Sequence, residues 1–230
     1  MKKTNILTVF LLLIVTQQGF SQITQLELAS GFSKTGLSSF SIKPISKDLP
    51  LSLATLAFFQ KYHDQENTQF DETGVQTTIF WNINEAVSVG PGLYFNSVAG
   101  FSQRLSVLLK SKSNNFMATA IPTVSRADKT GSINAGLFLQ LYYTRPMNAT
   151  WNLLFSTQAL THWAKFKQHS RSFQQIRVGV EYKALQFGPA IDLDQYGSKP
   201  LTRSSFGLFI RKTFINNWIS NIRQTKSWKK

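Results

Sequence analysis

The chain has no cysteine, so nucleophilic chemistry would fall to serine, with His63, His162 and His169 as the available imidazole bases. On an extended strand, side chains flip at every residue, so a serine and its histidine share a face when they are two residues apart. His169-Ser170-Arg171 fails that test: Ser170 points to the opposite face, and Arg171 stands where the nucleophile is needed. His162 is followed by Trp163 and Ala164, and His63 by Asp64 and Gln65. A serine from a neighbouring strand is the remaining route, because a triad needs proximity rather than adjacency. These spacings predict a protein that is not an enzyme, with no catalytic residue assigned.

Metal and phosphate chemistry are no better supported. Three scattered histidines without cysteine give no zinc pattern. Asp192 and Asp194, with Gln195 beside them, lack a full series of oxygen ligands for calcium and read as a solvated turn. Gly90-Pro91-Gly92 opens no helix and reads as wall rather than phosphate loop. No metal and no cofactor are expected. Charge is the more informative feature, at a formal +14. No recognition motif accompanies it, so a nucleic-acid partner is not expected either.

The elements that must position these groups follow a period of two. The chain divides into about twelve strands, at 23–32, 36–43, 50–61, 69–81, 86–97, 101–110, 115–121, 132–143, 149–160, 171–182, 184–192 and 203–214, with ten as the alternative count. Joins after even-numbered strands are mostly tight, and those after odd-numbered strands are mostly longer and polar. On the fifth strand Val87, Val89, Leu93 and Phe95 oppose Ser88, Gly90, Gly92, Tyr94 and Asn96. The eighth and tenth repeat the pattern, with Ile133 to Tyr143 and Ile176 to Tyr182 on their apolar faces. Trp81, Tyr143, Trp151, Tyr182 and Phe214 all fall on apolar faces at the tight-turn end, as a girdle at a membrane boundary requires. A soluble β-sandwich also alternates, but it has no need of aromatics collected at one end.

On the polar faces lie Arg104, Lys110, Arg177 and Arg211, opposed by Glu27 and Glu181, with Arg177 and Glu181 spaced for a pairing. Phe138, Phe209, Leu108 and Tyr142 share those faces and would help to fill an interior. Arg126, Lys129, Lys165, Lys167, Arg171, Lys199 and Arg203 are assigned to the longer loops.

Ser205 to Phe214 alternates Phe206, Leu208, Ile210, Lys212 and Phe214 with a mixed face, and about ten residues suffice for a tilted strand to cross a bilayer. This run resembles the closing strand of Gram-negative outer-membrane β-barrel proteins, which commonly ends on an aromatic residue. At the other end, Lys2, Lys3, the apolar run Ile6 to Val15, Gly19 and Ser21 have the form of a signal peptide over 1–21, cleaved before Gln22. The expected organisation is therefore that signal, an all-β antiparallel transmembrane barrel over 22–214 in the outer membrane, and a basic amphipathic or disordered periplasmic tail over 215–230. Some twelve-stranded members of this class are narrow pores for acidic sugars or other small anions. The resemblance thus implies a narrow anion-preferring pore lined by Arg104, Lys110, Arg177, Glu181 and Arg211. The alternatives are a non-conducting structural or accessory barrel docked to other envelope proteins and, last, a lipid hydrolase. Expected partners are outer-membrane lipid and lipopolysaccharide.

Overall fold

Every sheet edge is closed. In the computed structural model, which describes residues 23–46, 48–63 and 71–215, twelve antiparallel strands form one ring in sequence order, and β1 pairs with β12. The strands are β1 (Ile23–Gly31), β2 (Lys34–Pro44), β3 (Leu51–Tyr62), β4 (Glu72–Asn82), β5 (Val87–Asn96) and β6 (Gly100–Lys112). They continue as β7 (Phe116–Ala127), β8 (Ile133–Pro146), β9 (Trp151–Ala164), β10 (Gln168–Tyr182), β11 (Leu185–Tyr196) and β12 (Leu201–Ile215). The signal peptide over 1–21 and nearly all of the 215–230 tail lie outside the described residues.

This is a transmembrane β-barrel, turned inside out relative to a soluble protein. Leu105, Val178, Phe206, Leu208 and Ile210 stand exposed on the outer wall. The buried positions are mostly polar: Glu27, Lys34, Ser88, Ser106, Arg177, Asp194 and Arg211 all face inward. Closure pairs the wall's backbone groups, and the apolar exterior suits hydrocarbon. The aromatic residues Trp81, Tyr143, Trp151, Tyr182 and Phe214, at the end near the termini, lie on the outer face. The Trp151 ring lies 4.8 Å from that of Tyr182 and 6.2 Å from that of Phe187. Trp81 and Phe214 are exposed, as is Tyr143.

The strands run further than alternation of hydrophobicity indicates at the end away from the termini. β7 continues through Pro122 to Ala127, β9 to Ala164 and β11 to Tyr196. The long outer loops expected there shrink to short turns, apart from the β3–β4 connection. Beyond the apolar band both faces turn polar, which removes the contrast that marks a strand in the sequence.

Three prolines sit in mid-strand, each with a two-pair gap in the ladder on one side and intact pairing on the other. Pro91 pairs with Leu105 of β6, while β4–β5 pairing skips from Thr78↔Gly92 to Trp81↔Val89. Pro122 pairs with Leu137 of β8, while β6–β7 pairing skips from Ser106↔Thr123 to Leu109↔Ala120. Pro189 pairs with Leu208 of β12, and β10–β11 skips from Arg177↔Ala190 to Val180↔Phe187. Proline has no N–H to give, so each gap falls where a donor is missing. Glycines let the backbones close in at these creases. A Cβ on Gly90 would lie 1.8 Å from Ile79 O, and one on Gly179 would lie 2.2 Å from Phe187 O.

Candidate functional site

The inward faces build one charged network. Glu27 is its hub. Its Oε1 accepts from Arg177 Nε at 3.0 Å and Nη2 at 2.9 Å, and its Oε2 accepts from Arg211 Nε at 2.7 Å and Nη2 at 2.5 Å. Arg177 also gives Nη1 to Asp192 Oδ1 at 2.6 Å. Register explains the convergence: Glu27 pairs with Arg211 across β1–β12, and Arg177 pairs with Ala190, two positions from Asp192. Lys34 of β2 then reaches Asp192 Oδ2 at 3.2 Å and Asp194 Oδ2 at 2.6 Å, and Tyr62 of β3 donates to Asp194 Oδ2 at 2.6 Å. All of these groups are buried, so the charges compensate one another rather than being screened by solvent.

Nearer the far end a second set crosses the lumen directly. Arg171 of β10 gives Nη1 to Glu72 Oε2 of β4 at 2.5 Å. In a ring of twelve, β4 and β10 are six strands apart by either route, so this ion pair is a bar across the barrel. Gln60 Nε2 donates to Tyr196 Oη at 2.6 Å, which donates to Glu72 Oε2 at 3.3 Å, and Asn96 donates to Glu72 Oε1. Around the Arg171 guanidinium stand the rings of Phe58, Phe173 and Tyr196, 5.4 to 5.7 Å from its carbon. Its Nε is buried without an acceptor.

The predicted lumen residues Arg104, Lys110, Arg177, Glu181 and Arg211 do face inward, but they do not meet as one pore lining. The expected Arg177–Glu181 pairing does not form. Glu181 instead accepts from Tyr142 Oη at 3.2 Å, Asn152 Nδ2 at 3.0 Å and Gln186 Nε2 at 2.5 Å. Arg104 gives Nη1 to Gln76 Oε1 at 2.8 Å and lies 3.7 Å above the Tyr94 ring. Phe209 and Leu108 are buried inside, and Leu154, Ala29 and Ala190 complete an apolar cluster with Phe209, against which Tyr142 packs.

Other assignments need correction. Arg171 and Arg203 belong to the strand interior of the barrel, not to loops, and Arg126 lies within β7. Asp192 and Asp194 are not a solvated turn; they are lumen residues of β11 occupied by Lys34, Arg177 and Tyr62. Among the described residues, no cluster of acids and histidines is arranged for a metal. Lys34, Glu72 and Arg171 are the functional residues that sequence reasoning missed. Period two from Arg177 reaches Arg171, and that signal was available.

The histidines lie near the far end. His162 faces inward, its Nδ1 2.7 Å from Ser170 Oγ. His63 has Nε2 2.9 Å from Thr35 Oγ1 and Nδ1 3.1 Å from Phe32 O. His169 has Nε2 2.8 Å from Ser172 Oγ and Nδ1 2.7 Å from Gly197 O.

No protein-family model matches the chain, and no curated protein matches it. Among solved structures it is similar to the NanC porin, at 10% identity over 84% of this chain and 98% of that one, with a TM-score of 0.48. The KdgM porin shows 8% identity over 84% of this chain and 99% of that one, with a TM-score of 0.45. LpxR from Salmonella typhimurium shows 9% identity over 84% and 100%, with a TM-score of 0.45. At these levels the likenesses carry no functional inference, which rests on the geometry.

Proposed function

We propose that this is an integral outer-membrane barrel whose lumen is sealed at rest, a structural or accessory envelope protein rather than an open pore. The observation that carries this reading is the Arg171–Glu72 bar between opposite strands. Beneath it, the Glu27 hub packs two guanidiniums into the interior, and Phe209, Leu154 and Leu108 fill space a solute would need. The end where β1 begins and β12 finishes is turned to the periplasm, because an even number of antiparallel strands brings both to one side. The far-end turns carry Lys129, Lys165, Lys167 and Lys199 toward the phosphates of lipopolysaccharide. In planar bilayers the purified protein is expected to give no discrete conductance steps. Steady anion-selective steps from the unmodified protein would overturn the sealed reading.

A second reading has its own support: a pore selective for small anions once the bar is broken. Inward-facing Arg104 and Lys110 make no ion pair with an acid among the described residues, so the opened passage would be basic. This reading is tested by the same recording on Arg171→Ala, where steps with a reversal potential favouring anions are expected.

A further inference from the structure

We propose that the outer wall between β5 and β9 holds one glycerophospholipid of the periplasmic leaflet, with an acyl chain laid in an oblique groove and the head group at the β6–β7 turn. The inference rests on the orientation above, with the termini end toward the periplasm, and is independent of whether the lumen is sealed.

The groove follows from residue size. Val87, Leu109, Ala120, Leu139 and Ala159 form one row across five strands, joined by the registers Val87↔Leu109, Leu109↔Ala120, Ala120↔Leu139 and Leu139↔Ala159. A second row runs beneath it through Ser111↔Ala118, Ala118↔Leu141 and Leu141↔Thr157. Both rows lie on the outer face: Leu109, Leu139 and Leu141 are exposed, whereas Leu108, one residue along, is buried inside. At these levels β7 presents only Ala118 and Ala120, and β9 only Thr157 and Ala159. The leucines of β6 and β8 therefore rise beside a low floor and leave an apolar depression of about 490 Å³. That volume falls within the roughly 300–1,000 Å³ of small-molecule sites.

The depression climbs the wall. Val87 opens β5 at the tight-turn end, and Leu109 is three residues from the end of β6 at Lys112. Ala120 is four residues from Phe116, Leu139 seven from Pro146 and Ala159 eight from Trp151. Four strand spacings of about 4.8 Å give the path a length of about 19 Å. With strands tilted by roughly 40°, it rises about 12 Å, half of an apolar band about 25 Å tall. A groove that begins at the periplasmic boundary and stops at mid-wall fits a chain from that leaflet.

Only one end admits a chain. Beneath the floor, Phe116 pairs with Tyr143, and these exposed rings close the lower side. At the Val87 and Ser111 end no ring stands in the way, and Ser111 and Ser113 flank Lys112. Lys112 is exposed and makes no ion pair with an acid among the described residues. Glu85, also exposed, lies in the adjoining β4–β5 turn, and Ala86 O accepts from Lys110 N at 2.8 Å, which joins the two rims. The rim thus offers a cation to a phosphate diester and an acid to the amine of an ethanolamine head group.

The test is native mass spectrometry of the folded full-length protein, delipidated and then titrated with dioleoylphosphatidylethanolamine. One lipid is expected to stay bound at collision energies that strip the rest. Ala120→Leu and, as a second variant, Ala118→Leu fill the floor with a side chain that hydrocarbon accepts. Each should keep the heat-resistant folded band on gels while the retained fraction falls about tenfold. Ala57→Leu, on the outer face of β3 beside Val75, should leave retention unchanged. Lys112→Ala should lower retention of the phospholipid about threefold, and leave that of dioleoylglycerol as it was. Full retention by both groove-filling variants, an equal loss in Ala57→Leu, or a dimer that the groove-filling variants dissolve would each overturn the site with the orientation intact. Retention of lipopolysaccharide in place of the phospholipid would overturn the orientation and the proposal with it.

Discussion

Replacing Glu27 by Gln keeps the size of the side chain and removes the one charge that holds two guanidiniums. Arg177 and Arg211 are 2% and 4% exposed, and each places Nε and a terminal nitrogen on its own carboxylate oxygen. Glutamine can still accept on one side but meets the other guanidinium with its own N–H groups. Arg177 would keep Asp192, whereas Arg211 would fall back on Ser156 Oγ and Gln186 Oε1, both at 3.3 Å. Charged hydrogen bonds contribute roughly 1.5–3 kcal/mol each. Breaking a buried pair by removing one partner costs about 3–5 kcal/mol. We therefore expect Glu27→Gln to lose about 3–5 kcal/mol, the lower end if the lumen relaxes around Arg211. The measurement is urea unfolding from lipid vesicles, read by the emission of the barrel's tryptophans. Adding Arg211→Met to Glu27→Gln should recover part of the loss, since an apolar side chain leaves no stranded charge. A loss below about 1 kcal/mol is what solvated, screened ion pairs give, and it would refute the dry, sealed interior on which the argument depends.

Four further outcomes follow from the same geometry. Arg171→Ala removes the bar across the lumen and should produce discrete conductance steps in planar bilayers; continued silence would mean that the lower plug alone closes the passage. Gly179→Ala puts a methyl group 2.2 Å from Phe187 O and should destabilise the barrel by about 1–3 kcal/mol in the same unfolding assay. Phe166→Gly relieves a left-handed non-glycine residue and should raise stability by a few tenths to about 1 kcal/mol, seen as a higher urea midpoint. Trp151→Ala removes ring contacts with Tyr182 and Phe187 and should cost about 1–3 kcal/mol, measured in vesicles.

Architecture was legible because hydrocarbon on one side and a polar interior on the other impose alternation residue by residue. Val87 to Asn96 and Ile133 to Tyr143 show it plainly, and all twelve strands stand where that pattern puts them. The far-end extensions were not legible, since Thr161, Trp163, Gln174 and Gln195 face outward above the apolar band. The lumen was half legible. Its inward residues could be read from parity, but their partners depend on which strands lie opposite, and closure of the ring decides that. Arg177 spaced four from Glu181 looks like a pair along the strand, yet Glu27 and Asp192 from β1 and β11 claim it first. The contact of His169 with Ser172 was hidden for a smaller reason: one bulged residue at Ser170 reverses the parity on which the reading of the strand relies.

The proline creases have a mechanical consequence. A cylinder laced evenly by hydrogen bonds resists bending all round its circumference, whereas this one is unlaced on one flank of Pro91, Pro122 and Pro189. Its cross-section should therefore breathe by folding along those three lines, like a carton along its scored edges. The panels between them, including the one that carries Arg211 and Glu27, should move as stiff plates.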